Sequence, residues 1–127
     1  MTLACPDSGN ITATRGVLQS IGYPNRYPDN TMCIWKITAP PGHVIKIHFE
    51  EVDIEYSSYC TADYLEIRDG LDSTGKQILK TCGTSYRDLY SLSRYLWIKF
   101  SSDLRSADKG FRAVYSTVLQ NQGLPNI

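Results

Sequence analysis

Four cysteines, Cys5, Cys33, Cys60 and Cys82, constrain this 127-residue chain more than any other feature. None sits in a C-x-x-C pair, so neither a zinc ribbon nor a thioredoxin-type redox site fits their spacing. An even number at wide, separate intervals suits two disulfides, and disulfides belong to an oxidising, extracellular compartment. Three pairings are open. Joining neighbours, Cys5 to Cys33 and Cys60 to Cys82, closes two moderate loops and is the favoured choice. Each bridge is worth about 3–4 kcal/mol in the loop-closure account. Asn10-Ile11-Thr12 is an N-glycosylation sequon, which agrees with that compartment and makes Asn10 a candidate glycan acceptor.

Period-two alternation fills much of the chain, and helical periodicity is scarce. In "HVIKIHFEEVDI", Ile45, Ile47 and Phe49 share one face, opposite Lys46 and His48. In "YLWIKF", Leu96, Ile98 and Phe100 alternate with Tyr95, Trp97 and Lys99, and in "GFRAVYS", Phe111, Ala113 and Tyr115 alternate with Arg112 and Val114. "CIWKITA" and "DYLEIRDG" read the same way, with Trp35 in the core. Turn signals separate the runs: Tyr23-Pro24-Asn25, Tyr27-Pro28-Asp29-Asn30, Pro40-Pro41-Gly42, Asp69-Gly70 and Ser73-Thr74-Gly75. Short strands, frequent turns and two disulfides predict an all-β chain folded as an antiparallel β-sandwich. The polar tail "LQNQGLPNI", residues 119–127, reads as a linker leaving a domain of residues 5–118. Met1-Thr2-Leu3-Ala4 lacks the apolar core of a signal peptide, so a secretion signal is expected to lie upstream or to have been removed. No apolar run approaches the roughly 18–20 residues of a membrane-spanning helix, and no direct membrane insertion is expected.

The charge total is neutral, 13 basic against 13 acidic residues, which argues against a nucleic-acid partner. Its distribution is uneven. Eight of the acids fall between Glu50 and Asp72 with one base, Arg68, and eight bases follow between Lys76 and Arg112. Surface pairing is one explanation, at about 0–1 kcal/mol per pair. A catalytic acid pair is a second, but short loops leave no deep cleft. H-E-x-x-H, G-x-S-x-G and phosphate-loop patterns are also missing from the sequence, so no enzyme activity is expected. A cation cage is the third. Glu55 ends one strand-like segment and Asp63 precedes the next. Asp103 directly follows "YLWIKFSS", and together the three offer the hard oxygens that calcium takes. No EF-hand run is present, so separated loops would have to hold the ion.

These residues resemble a CUB domain over residues 5–118. "GVLQSIGYPNRYPDNTMCIWKI" is similar to the family's strand, Y-P-x-x-Y-P segment, cysteine and tryptophan. "FEEVDIEYSSYCTADYLEIRDG" resembles its acidic run, third cysteine and D-Y-x-x-I-x-D-G strand. "CGTS" and "WIKFSSDLRSADKGFRAVYS" match the fourth cysteine and the last two strands. One departure is "CPDSGNIT", where members often follow the first cysteine with two glycines.

The resemblance implies a two-sheet jelly-roll-like sandwich with first-to-second and third-to-fourth disulfides. It implies one bound calcium ion, held by Glu55, Asp63 and Asp103 and by backbone oxygens of residues 104–106, Ser106 among them. Tyr27 supports the glutamate. It further implies that Tyr27, Glu55, Asp63 and Asp103 form the ligand-binding surface for a Lys or Arg of an extracellular protein partner. Glu50, Glu51, Asp53, Glu66, Asp69 and Asp72 are left as solvated or pairing residues. The function expected is a non-catalytic extracellular recognition module, joined to other domains of a parent chain. The alternatives are a substrate-positioning domain of an extracellular protease, a structural spacer, or a carbohydrate-binding module. The last would stack sugars on an outward-facing Trp97 and on the tyrosines of "YRDLYSLSRYLW".

Overall fold

A computed structural model describes Cys5, residues 8–103 and residues 107–120. Nine strands run in chain order: β1 (Gly9–Ile11), β2 (Arg15–Gln19), β3 (Met32–Thr38), β4 (His43–Asp53), β5 (Tyr64–Asp69), β6 (Lys76–Thr81), β7 (Leu89–Tyr90), β8 (Tyr95–Ser101) and β9 (Gly110–Leu119). They form a five-stranded sheet, ordered β1-β3-β8-β5-β6, and a four-stranded sheet, ordered β2-β9-β4-β7. Among the described residues there is no α-helix, only a short 3-10 turn at Ser58–Cys60. The fold is therefore the two-sheet, jelly-roll-like sandwich expected. One pairing departs from the antiparallel rule: the three-residue β1 runs parallel to β3, with Asn10 beside Lys36.

The alternation explains the core. Trp35, Ile37, Leu96, Ile98 and Phe100 of one sheet, with Leu18, Ile45, Ile47, Phe111 and Ala113 of the other, are at most 2% exposed. Edge-to-face contact between Trp35 and Phe111, at 5.7 Å, joins the two layers, as aromatic quadrupoles prefer. Both disulfides match the neighbour pairing: Cys5–Cys33 and Cys60–Cys82 have Cα atoms 5.7 and 5.5 Å apart.

In β4 the alternation breaks. A bulge between Phe49 and Glu51 shifts the register against β9, so Val52 and Ile54 point inward, at 2% and 1% exposed. Without it, the acidic Glu51 and Asp53 would fall on the core face and Ile54 on the outside. Just beyond the bulge, opposite Asp53, Gly110 takes φ +96, and a side chain there would overlap the hydroxyl of Ser20. Ser20 accepts a hydrogen bond from the Phe111 N–H at 3.1 Å, which anchors the start of β9.

Trp97 corrects an expectation. It does stand on the outward side of β8, between the core residues Leu96 and Ile98, but it is only 5% exposed. Its cross-strand neighbours are Lys36 and Arg68, residues whose long stems can cover apolar surface, and the Arg68 guanidinium is held by Glu66 and the Gly75 carbonyl. No free indole face is left for stacking sugars. Tyr90 and Tyr95 likewise carry cations over their rings, Lys46 at 6.0 Å and Arg94 at 5.3 Å. Leu119 still pairs with His43 in the sheet, and residues 121–127 of the expected linker lie outside the described residues.

Candidate metal centre

One end of the sandwich gathers the three carboxylates singled out in the sequence. Glu55 leaves the end of β4 just after Ile54, which bridges Gly83 through two backbone hydrogen bonds of 2.9 and 2.7 Å. Asp63 immediately precedes β5, and Asp103 follows the end of β8. Because β5 and β8 are hydrogen-bonded neighbours with Tyr64 opposite Ser101, their ends coincide. One carboxylate oxygen from each of Glu55, Asp63 and Asp103 lies within 4.8 Å of the other two.

Asp63 is the centre of the arrangement and is fully buried. Its Oδ1 accepts the Asp103 N–H at 2.8 Å, and its Oδ2 accepts the Tyr27 hydroxyl at 2.6 Å. The same hydroxyl oxygen accepts the Glu55 N–H at 3.0 Å. Tyr27 therefore ties all three acidic segments together through Asp63, and its ring is held edge-on against Phe100 at 4.9 Å. Glu55 Oε1 is sealed from solvent. The supporting loop is fastened from behind. Ser102 donates through its hydroxyl to the Pro28 carbonyl at 2.8 Å and accepts the Thr31 N–H at 3.0 Å, and the Asn30 N–H reaches the Asp103 carbonyl at 2.8 Å.

Burial raises the Asp63 pKa above the ordinary carboxylate range, and the Asp103 carboxylate beside it works in the same direction. The hydrogen bonds from Tyr27 and from the Asp103 N–H oppose this without cancelling it. Burial and the Asp63 carboxylate push the Tyr27 phenol above its usual range, so it keeps its proton and goes on donating. A buried carboxylate in repulsive company is costly unless a cation offsets it. Every donor here is a hard oxygen, the set a calcium ion takes. Leu104 and Ser106, expected to add backbone oxygens, lie outside the described residues.

Five of the remaining acids of the cluster, Glu50, Glu51, Glu66, Asp69 and Asp72, have other partners. Glu50 accepts from Arg112 at 2.6 Å, Glu51 bonds Tyr23 and lies 3.5 Å from Lys109, and Glu66 pairs with Arg68 at 2.7 Å. Asp69 accepts the N–H groups of Leu92 and Ser93, and Asp72 that of Thr74, each at 2.9 Å. Sequence reasoning did not find Ser102, whose role depends on a contact made across 74 positions.

The profile of the CUB domain matches residues 5–115 of this chain. The chain belongs to the CUB family. Human Tolloid-like protein 1 is 37% identical to this CUB domain over 116 residues, which cover 90% of this chain and 12% of that protein. Dog cubilin is 38% identical over 121 residues, 91% of this chain and 3% of cubilin. The domain thus spans a small part of these larger relatives. Among solved structures, the full extracellular region of zebrafish Gpr126 superposes with a TM-score of 0.79 at 29% identity, over 89% of this chain and 15% of that one. The MASP-1 CUB2 domain bound to Ca2+ superposes with a TM-score of 0.76 at 31% identity, over 86% and 98% respectively. This CUB domain is an extracellular, non-catalytic module, in keeping with its two disulfides.

Proposed function

We propose that this CUB domain holds one calcium ion between Glu55, Asp63 and Asp103, and that the loaded site recognises a Lys or Arg side chain of an extracellular protein partner. The observation that carries the reading is the convergence of three carboxylates within 4.8 Å around a buried Asp63. The Ca2+-bound MASP-1 relative supports it. When bound, the ion supplies the positive charge that offsets the repulsion among the carboxylates. The residues of this chain do the rest. Asp63 and the Tyr27 hydroxyl fix the segments bearing Glu55 and Asp103, so their outward lone pairs are ordered before a partner arrives. Charge-assisted hydrogen bonds from an ammonium or guanidinium then cost less conformational entropy to form. Asn10, exposed in β1, is the glycan acceptor in this reading.

Surface plasmon resonance on immobilised polylysine tests the recognition step. Binding is expected in calcium, and about tenfold or more weaker in chelator or in Glu55→Gln, a loss of about 1.4 kcal/mol or more. Glu50→Gln, which removes a distant acid of equal charge, should leave it nearly unchanged. Binding indifferent to both chelator and Glu55→Gln contradicts recognition at this site.

A further inference from the structure

The fold also assembles a cationic face that the sequence scatters over four strands. On the outward side of the five-stranded sheet, Lys99 of β8 and Lys80 of β6 flank β5, both in register with Glu66. Their ammonium groups lie over the ring of Tyr64, at 5.3 and 4.4 Å from its centroid. Glu66 does not neutralise this pair: it is 8% exposed, and its Oε2 is taken by Arg68 at 2.7 Å. Among the described residues no carboxylate lies within salt-bridge distance of Lys80 or Lys99. One row further along the sheet stand Lys36 and Arg68, either side of the covered Trp97. Asp72, in the turn after β5, is close enough to Lys36 to feel its charge, but it is bonded to Thr74. With Arg68 paired to Glu66 and Asp72 near Lys36, the positive charge of the face is concentrated on Lys80 and Lys99.

We propose that this face binds a linear sulfated polysaccharide, with a sulfate group held between Lys80 and Lys99 above Tyr64. Strands lie about 4.8 Å apart, so the backbones of Lys80 and Lys99, two strands apart, are separated by about 10 Å. A flat, pleated surface with that spacing accommodates an extended polyanion lying across it, whereas a small anion would require an enclosing pocket. Lysine ammonium groups act as mobile, strongly hydrated point charges, which suits sulfate groups spaced along a flexible chain better than fixed bidentate geometry does. The extracellular compartment supplies sulfated glycans as the abundant polyanions. Recognition here is electrostatic and leaves the aromatic rings beneath the cations, unlike the stacking mode that Trp97 cannot offer.

Heparin affinity chromatography and calorimetry with a heparin oligosaccharide test the proposal. Wild-type protein should be retained at about 0.15 M salt and released as screening shortens the reach of surface charges. Lys80→Glu/Lys99→Glu should weaken the affinity at least about tenfold. Arg15→Glu/Lys46→Glu, the same charge change on the opposite sheet, should change it by less than about threefold. Lys80→Gln/Lys99→Gln keeps the test decisive if charge reversal disturbs folding, and it should still weaken binding several-fold with an unchanged melting temperature. Equal loss from both faces would show a net-charge effect and overturn the assignment. So would heparin affinity unchanged by the Gln pair, or polyglutamate binding as tightly as heparin at equal charge.

Discussion

Asp63→Asn is expected to change the stability of the protein in opposite directions with and without calcium. In chelator, wild-type Asp63 is a buried carboxylate facing Asp103, and its pKa is raised by burial first and by that neighbour second. A carboxylic acid with a raised folded-state pKa binds its proton more readily in the folded than in the unfolded protein. Its favourable contribution is thus complete below the unfolded pKa and is lost as pH rises through the folded value. At neutral pH the ionised group destabilises the chelated fold. Asparagine removes that charge and can still accept the Asp103 N–H. The chelated variant should melt at or above the wild-type temperature, by up to about 3–5 °C, the shift that roughly 1 kcal/mol produces in a domain of this size. It should also lose the wild type's gain in stability on mild acidification. In calcium the order reverses: wild type gains about 2.7 kcal/mol at a calcium concentration 100 times its Kd, and the variant gains nothing. Differential scanning calorimetry of both proteins, with calcium and with chelator, reads all four values. A variant that melts well below wild type in chelator contradicts this account of Asp63.

Removing the second disulfide, as Cys60→Ala/Cys82→Ala, should lower stability strongly while leaving the three carboxylates in place. The bridge joins residues 22 apart and closes the segment from Cys60 through β5 and β6, with Asp63 just inside it. Its loss frees about 3 kcal/mol of unfolded-chain entropy, enough to lower the melting temperature by about 10 °C or more. The effect should extend to calcium. Tyr59 and Cys60 hold left-handed backbone conformations, φ 60 and 49, which non-glycine residues keep only where the surroundings impose them. Without the bridge these residues can relax, and the turn between Glu55 and Asp63 loses its preset shape. Calcium affinity should fall about tenfold, and calcium should restore only part of the lost stability. Thermal melts and a calcium titration of the double variant check both expectations. Unchanged calcium affinity would show that β5, β8 and Tyr27 alone position the ligands.

How much of this was legible beforehand depended on how far each feature reached along the chain. Alternation in β8 is a local signal, and Leu96, Ile98 and Phe100 are buried as it predicts. Of the three open disulfide pairings, the one favoured for its moderate loops and implied by the family resemblance is the one observed. Glu55 and Asp63 lie eight positions apart, but Asp103 is forty further on; its place directly after a strand run made it a candidate, and the family resemblance matched it to the other two. The bulge in β4 could not be read from "HFEEVDI", because the register depends on β9, whose partner residues lie some sixty positions away. Trp97 misled for a similar reason. Its strand position says which way the ring points, whereas its burial depends on Lys36 and Arg68 in two other strands. The cationic face is the same kind of feature, invisible until β3, β8, β5 and β6 lie side by side.

Calorimetric titration of calcium into the isolated, calcium-free domain tests the central claim most directly. Wild type should bind one equivalent, and Asp103→Ala, which leaves Asp63 and Glu55 in place, should show no measurable heat of binding while retaining its fold. Equal calcium binding by wild type and Asp103→Ala, or no binding by either, would contradict the assignment of this carboxylate cluster as a calcium site.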